Sequence, residues 1–139
     1  GDACEFAIKK FGLSVRDTTE GKRRNEFFCP GSTLKATFDN CHPLAYGMPD
    51  EGLILNYSSP GFAIVPGAHN ERCQTIVRYK DEEILRSGWL IGEKHIAGKS
   101  AMVAAEKGKG QVVLFGFRPQ HRCQTHGTFK LFFNTLIGK

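Results

Sequence analysis

Two apolar runs that flank a glycine-containing turn constrain the fold of this chain more than any other feature. The runs cover residues 101–105 and 111–117, and the turn KGKG lies between them at residues 107–110. A short turn of this kind joins antiparallel strands, so the sequence predicts a β-hairpin. Residues 112–115 are continuously apolar rather than alternating, which predicts a central strand covered on both faces.

Other short segments predict the rest of the sheet and two helices. Residues 2–11 begin with the capping-box spacing of Asp2 and Glu5, and apolar residues recur at helical spacing over residues 126–137. Residues 14–31 are polar and predict an exposed loop. The predicted strands span about residues 32–39, 53–57, 62–66, 75–80, 85–91, 100–106 and 111–117. This pattern indicates an α/β chain, α+β when taken as an isolated segment, with a mixed β-sheet.

Length and composition indicate a single globular domain over residues 1–139. Hydrophobic residues make up 40% of the chain and charged residues 24%, and 139 residues suffice to bury an ordinary core. No apolar run approaches the roughly 18 residues that a membrane span needs, so we expect no membrane partner.

The formal net charge of +5 raises the question of nucleic-acid binding. Basic residues concentrate at 22–24 and 107–109, both in predicted turns, and elsewhere they are interleaved with acidic residues. A groove for single strands needs basic and aromatic side chains together, and no segment of the sequence alternates them. We therefore expect no nucleic-acid partner.

The cysteines and the single tryptophan are interpreted as structural residues. Five cysteines are scattered without a CxxC pair, which predicts reduced thiols rather than a disulfide framework or a zinc ribbon. Trp89 follows Gly88 in a predicted strand and is expected to anchor the core. His42 is expected to bond to Asp39 in a turn.

The most polar stretch, GFRPQHRCQTHGTF at residues 116–129, joins the last predicted strand to the last helix. Junctions of this kind favour anions, because free backbone amides and the helix dipole lie there. Arg118 and Arg122 could add bidentate hydrogen bonds to a carboxylate or phosphate. The candidate ligand-binding residues are Arg118, His121, Arg122, Gln124, Thr125 and His126.

The sequence supports a catalytic or metal site at this junction less well than an anion-binding site. His121, Cys123 and His126 match no common zinc spacing and have no acidic neighbour in sequence, so we expect no metal ligands and no cofactor in this segment. An alternative function is a Cys/His-dependent hydrolase or amidotransferase-like enzyme, with a thiol nucleophile at Cys123 and either histidine as its base. A nucleophile elbow, however, has small residues on both sides, and Arg122 and Gln124 stand there instead. We assign no catalytic residue.

A purely structural junction is the remaining alternative. Thr125 or Thr128 would cap the last helix, Arg122 would tie loops together, and His126 would lie over the first helical turn. In that case the polar residues stabilise the fold and bind nothing.

Four segments of the chain resemble the C-terminal region of bacterial zinc carboxypeptidase-like proteins. They are HPLAYGMP (42–49), RSGWLIGEKHIAGKSAMV (86–103), GKGQVVLFGFRPQHRCQTHGTFKLFFNTL (108–136) and the opening GDACEFAIKKFGL. In such proteins a carboxypeptidase A-type metallopeptidase domain precedes a domain similar to class I glutamine amidotransferases. The resemblance implies a partial flavodoxin-like, amidotransferase-like domain.

The resemblance also implies a non-catalytic accessory role. The chain has neither the G-x-C-x-G elbow of true amidotransferases nor the histidine and glutamate zinc ligands of the peptidase domain. Its partner would then be the peptidase domain of a parent hydrolase, against which it packs or which it orients. Zinc would belong to that domain, and the parent would be secreted or periplasmic.

The resemblance further implies that a strand and earlier α/β units precede the first helix in the parent. Without them a sheet edge or apolar face is uncovered, and such surfaces pair with other chains. We therefore expect the isolated segment to form a homodimer.

Overall fold

The structure, a computed structural model, describes residues 2–66 and 72–137. Three short 3₁₀ turns, at Pro43–Ala45, Glu93–His95 and His126–Thr128, accompany the helices and strands. The helices are α1 (Asp2–Phe11) and α2 (Phe129–Ile137), and the strands are β1 (Val15–Asp17), β2 (Pro30–Phe38), β3 (Glu51–Tyr57), β4 (Phe62–Ile64), β5 (Cys73–Tyr79), β6 (Leu85–Ser87), β7 (Ser100–Lys107) and β8 (Gly110–Phe115).

The predicted hairpin is formed by β7 and β8, and β7 lies at the centre of the sheet. β7 pairs with β5 on one side and with β8 and β4 on the other, and residues 100–105 are all buried. The hairpin prediction is confirmed, but the central strand is β7 and not β8. The apolar run of β8 is nevertheless covered on both faces. Val112 packs with α1, whereas Val113 and Phe115 pack against the main core.

The strand pairs among the described residues are all antiparallel. The eight-stranded sheet has the order β1-β4-β7-β5-β2-β3, with β6 beside β2 and β8 beside β7. The α+β class is therefore confirmed, with an antiparallel sheet in place of the expected mixed one. Parallel strands, which a flavodoxin-like domain requires, need crossover connections that are usually helical. Both α-helices lie at the ends of the described chain, so none joins one strand to the next.

Strand β1 lies in the segment for which the sequence predicts only a loop. Its three residues pair with β4 from Val15↔Ile64 to Asp17↔Phe62. A strand this short shows too few alternations to be recognised from its sequence.

The predicted strand 85–91 ends early, at Ser87, because the chain turns at Gly88. Gly88 has a φ of 101°, and a Cβ there would lie 2.6 Å from the Ser32 hydroxyl. That hydroxyl accepts the Trp89 amide at 2.9 Å and lies 2.6 Å from the Trp89 carbonyl. Trp89 is 61% exposed and meets Phe28 edge-on, so the expectation of a core anchor is wrong.

His42 caps the first 3₁₀ turn instead of bonding to the Asp39 side chain. Its Nδ1 accepts the amide of Leu44 at 3.1 Å, and its own backbone amide donates to the Asp39 carbonyl at 3.0 Å. The predicted contact with Asp39 therefore exists only through the main chain.

Candidate functional site

A buried polar network anchors the junction where it leaves the sheet. Asn56 and Tyr79 are fully buried. The Tyr79 hydroxyl lies 2.5 Å from the carbonyl oxygen of Gly116 and accepts from the Asn56 side-chain amide at 2.8 Å. Burial raises the pKa of Tyr79 far above its usual range, so the hydroxyl stays protonated and donates to Gly116. These buried hydrogen bonds therefore fix the position of the main chain at Gly116, where the junction begins.

Gly116 itself must be glycine, because the main chain packs closely around it. A Cβ at this position would lie 2.2 Å from the Pro60 carbonyl oxygen and 3.0 Å from that of Ala101. The Gly116 amide donates to the same Ala101 carbonyl at 2.7 Å. The approach of three backbone segments leaves no room for a side chain.

Arg118, His121 and Tyr57 form a compact group that we call the Arg118 cluster. The Arg118 amide donates to the Leu55 carbonyl at 2.9 Å, which places its side chain beside the end of β3. The Arg118 guanidinium carbon lies 4.5 Å from the centre of the Tyr57 ring. The His121 ring stacks on Tyr57 with centroids 6.2 Å apart. Arg118 Nη1 lies 2.8 Å from His121 Nδ1, and the guanidinium must be the donor because it has no acceptor atom.

This arrangement holds the Arg118 side chain in one orientation while leaving donors available. A cation over an aromatic face is stabilised by the ring quadrupole. The guanidinium carries five N–H donors, and the contact with His121 uses one of them. The cluster could therefore bind a carboxylate or phosphate that approaches the partly exposed guanidinium.

Arg122 and Cys123 form the tip of a tight reverse turn. His121 and Gln124 exchange backbone hydrogen bonds of 2.5 and 2.9 Å across it. Arg122 has a φ of 51° and Cys123 a φ of 59°, the left-handed signs of a type I′ turn. Neither residue is a glycine, so each costs about 1 kcal/mol in this conformation. The turn places Arg122, Cys123 and Gln124 in solvent.

Thr128, rather than Thr125, closes the junction onto the fold. Its buried hydroxyl oxygen lies 2.8 Å from the Pro119 carbonyl oxygen and 3.0 Å from that of Thr125. Both acceptors are carbonyls, so the Thr128 hydroxyl donates and links Pro119 to Thr125. A helix cap would instead accept a hydrogen bond from a backbone amide. Thr125 stands at the N-cap position of the last 3₁₀ turn without a capping bond from its side chain. The expectation of a threonine cap is therefore wrong, because Thr128 uses its hydroxyl to tie the junction together.

The six predicted site residues do not converge on one point. Arg118 and His121 are in contact, His126 packs edge-on against Phe129 at 5.2 Å, and Arg122 points into solvent. Arg122 has no ion pair or hydrogen-bond partner for its side chain within residues 2–66 and 72–137, so the expected tie between loops is not formed there. In the same ranges, no group of three His, Cys, Asp or Glu side chains is arranged to hold a metal ion.

Tyr57 is the member of the Arg118 cluster that sequence reasoning missed. It ends β3, whereas Arg118 follows β8, and the bridge from Leu55 to Arg118 brings the two segments together. No sequence spacing records that bridge. An aromatic residue at the end of the predicted strand 53–57 was the signal that the sequence offered.

Comparison with known proteins adds no functional assignment to this geometry. No helix in the part of the chain that the structure describes has the length and apolarity to cross a membrane. The chain matches no family model, and no curated protein shows significant similarity to it.

Proposed function

We propose that this chain is a non-catalytic accessory domain that packs against, and orients, the peptidase domain of a zinc carboxypeptidase-like protein. The sequence resemblance supports the identity of the partner. An exposed apolar face supports the docking role, and it is the observation that carries the proposal.

The exposed face lies on α2 and continues onto the first 3₁₀ turn. We call it the α2 patch; it consists of Tyr46, Phe132, Phe133, Leu136 and Ile137, whose exposed fractions are 76%, 41%, 54%, 66% and 81%. The four helical members fall within one arc of the helix, because they are spaced one, three and four residues apart. Leu131 lies on the opposite side and is fully buried. The helix is therefore apolar on its outer face as well as on its inner one.

The patch is held in place by bonds between α2 and the chain around Tyr46. Asn134 donates its side-chain amide to the carbonyls of Leu44 and Tyr46 at 3.1 and 3.0 Å, and Lys130 donates to the Gly47 carbonyl at 2.8 Å. A rigid patch loses little conformational freedom when it binds. Burying one large apolar side chain gains about 1.5–3 kcal/mol, so a partner covering several of these residues would bind firmly.

The test measures binding of this chain to the carboxypeptidase A-type domain of a zinc carboxypeptidase-like protein, by isothermal titration. The double variant Phe133→Lys, Leu136→Lys should weaken binding at least about tenfold, because two charges enter the buried interface. Leu53→Lys is the control, since Leu53 is 44% exposed and belongs to β3 rather than to the α2 patch. Absence of binding by the parent chain, or equal loss in the control, would refute the docking role.

Homodimer formation by this chain is tested in a separate experiment. We expect sedimentation equilibrium to show a dimer that dissociates in the same double variant, since a second copy could cover the α2 patch. A strictly monomeric parent chain over a wide concentration range would contradict this prediction without affecting the docking test.

A second candidate function is the binding of a carboxylate or phosphate at the junction. The Arg118 cluster favours it, because Tyr57 and His121 orient the guanidinium. Arg118→Gln should abolish saturable binding of a small carboxylate, whereas Arg86→Gln, at an exposed position on β6, should not. Equal affinities in the two variants would rule out the junction as the site.

A further inference from the structure

Four basic side chains line an open cleft far from the junction in sequence. The cleft, of about 460 Å³, lies between the segment from β1 to residue 22 and the chain around the second 3₁₀ turn. Arg16 and Lys22 belong to the first wall, and Lys94 and Lys99 to the second. Its volume falls in the range of about 300–1,000 Å³ that small-ligand sites occupy.

Asp17 and Glu20 also line the cleft, so acidic side chains offset two of its four positive charges. Asp17 accepts both the amide and the hydroxyl of Thr19 at 2.7 Å, which holds one carboxylate oxygen in its own turn. Glu20 lies 3.8 Å from Lys9 of α1. The described ion pairs involve Lys9, Arg23 and Lys80, and in residues 2–66 and 72–137 none includes a cation of the cleft. Four cations and two carboxylates thus leave this concave surface with a formal charge of +2, which creates a positive potential in it.

The two walls of the cleft are tied together by Thr18. Its hydroxyl oxygen lies 2.6 Å from the His95 carbonyl oxygen and 3.1 Å from that of Gly61, and its amide donates to Gly61 at 2.9 Å. Gly61 allows this approach, because a Cβ there would lie 2.9 Å from the Thr18 hydroxyl. These bonds hold the two charged walls at a fixed spacing. The free-energy cost of bringing the cations together is therefore part of folding and does not weaken ligand binding.

We propose that this cleft binds a small ligand carrying two or more linked phosphate groups. Separate lysine ammonium groups suit such a ligand, since each acts as a point charge toward a different phosphate oxygen. Arg16 can add a bidentate contact. A free polyphosphate and the phosphate chain of a nucleotide share this chemistry.

The experiment titrates the chain with tripolyphosphate and with a nucleoside triphosphate at low salt. Lys94→Glu should weaken both affinities at least about tenfold, because it replaces an attraction by a repulsion. Lys109→Glu, on the exposed turn between β7 and β8, changes the net charge equally and should stay within about twofold. Arg118→Gln is measured alongside these variants, so that phosphate binding at the junction is distinguished from binding in the cleft. Lys94→Arg should retain binding.

Three outcomes would overturn the proposal. They are no saturable binding of tripolyphosphate up to about 1 mM, equal weakening in the two charge-reversal variants, and a larger loss in Arg118→Gln than in Lys94→Glu. Equal affinities for the two ligands would support recognition of phosphates alone, and tighter binding of the nucleotide would support the same cleft with a contribution from the nucleoside.

Discussion

The side-chain amide of Asn56 donates to the hydroxyl of Tyr79 at 2.8 Å, and both residues are fully buried. This contact joins β3 to β5 through the core. The Tyr79 hydroxyl in turn reaches Gly116, where the junction begins. One hydrogen-bonded chain therefore fixes the position from which Arg118 is presented.

Tyr79→Phe should lower the free energy of unfolding by about 1–3 kcal/mol, because the Gly116 carbonyl and the Asn56 amide lose a buried partner. Chemical denaturation measures the loss. Tyr57→Phe is the matched control, since Tyr57 is half-exposed, and it should stay within about 0.5 kcal/mol. If both variants unfold at the parent's midpoint, the network does not stabilise the fold.

Gly116→Ala should lower stability by at least about 3 kcal/mol, because its Cβ would collide with backbone atoms that cannot rotate away. Gly127→Ala is the control, since a Cβ there meets no atom within 4 Å. Thermal melting of the two variants compares them directly. Equal melting temperatures would mean that the main chain at Gly116 relaxes readily.

Cys123→Gly should stabilise the chain by about 0.5–1 kcal/mol, because glycine adopts the left-handed conformation without strain and this gain exceeds the added freedom of the unfolded chain. The converse change, Gly108→Ala, places alanine at a φ of 59° in open space and should destabilise by about 1 kcal/mol. Urea denaturation gives both values. A loss of stability in Cys123→Gly would show that the Cys123 side chain contributes more than its backbone costs.

Alkylation should separate the thiols by exposure. Cys41 and Cys123 are exposed, whereas burial raises the pKa of the Cys4 and Cys29 thiols and keeps them protonated at neutral pH. Mass spectrometry after brief treatment with iodoacetamide should therefore find Cys41 and Cys123 modified first, and at similar rates. Much faster reaction of Cys123 than of Cys41 below neutral pH would instead indicate an activated nucleophile and favour the hydrolase interpretation.

Local patterns in the sequence predicted the parts of the fold that depend on neighbours along the chain. The β7–β8 hairpin followed from a short turn between two apolar runs, and α1 and α2 followed from helical spacing. Trp89 shows where this reasoning stops. The predicted strand 85–91 stops at Ser87, and the chain turns at Gly88, where Ser32 of β2 leaves no room for a Cβ. A close contact with a residue that is distant in sequence leaves no mark in the local pattern.

The sequence by itself determined most strands and both helices, with β1 and residues 88–91 as the exceptions, and it singled out the polar stretch that contains Arg118 and His121. Only the tertiary structure decided that Tyr57 joins them, and that Arg16 and Lys22 face Lys94 and Lys99 across one cleft. The physical reason is that side-chain periodicity depends on the geometry of one segment, whereas these contacts depend on which strands pair. In this chain the described strand pairs are antiparallel, and no α-helix within residues 2–66 and 72–137 supplies a crossover between strands.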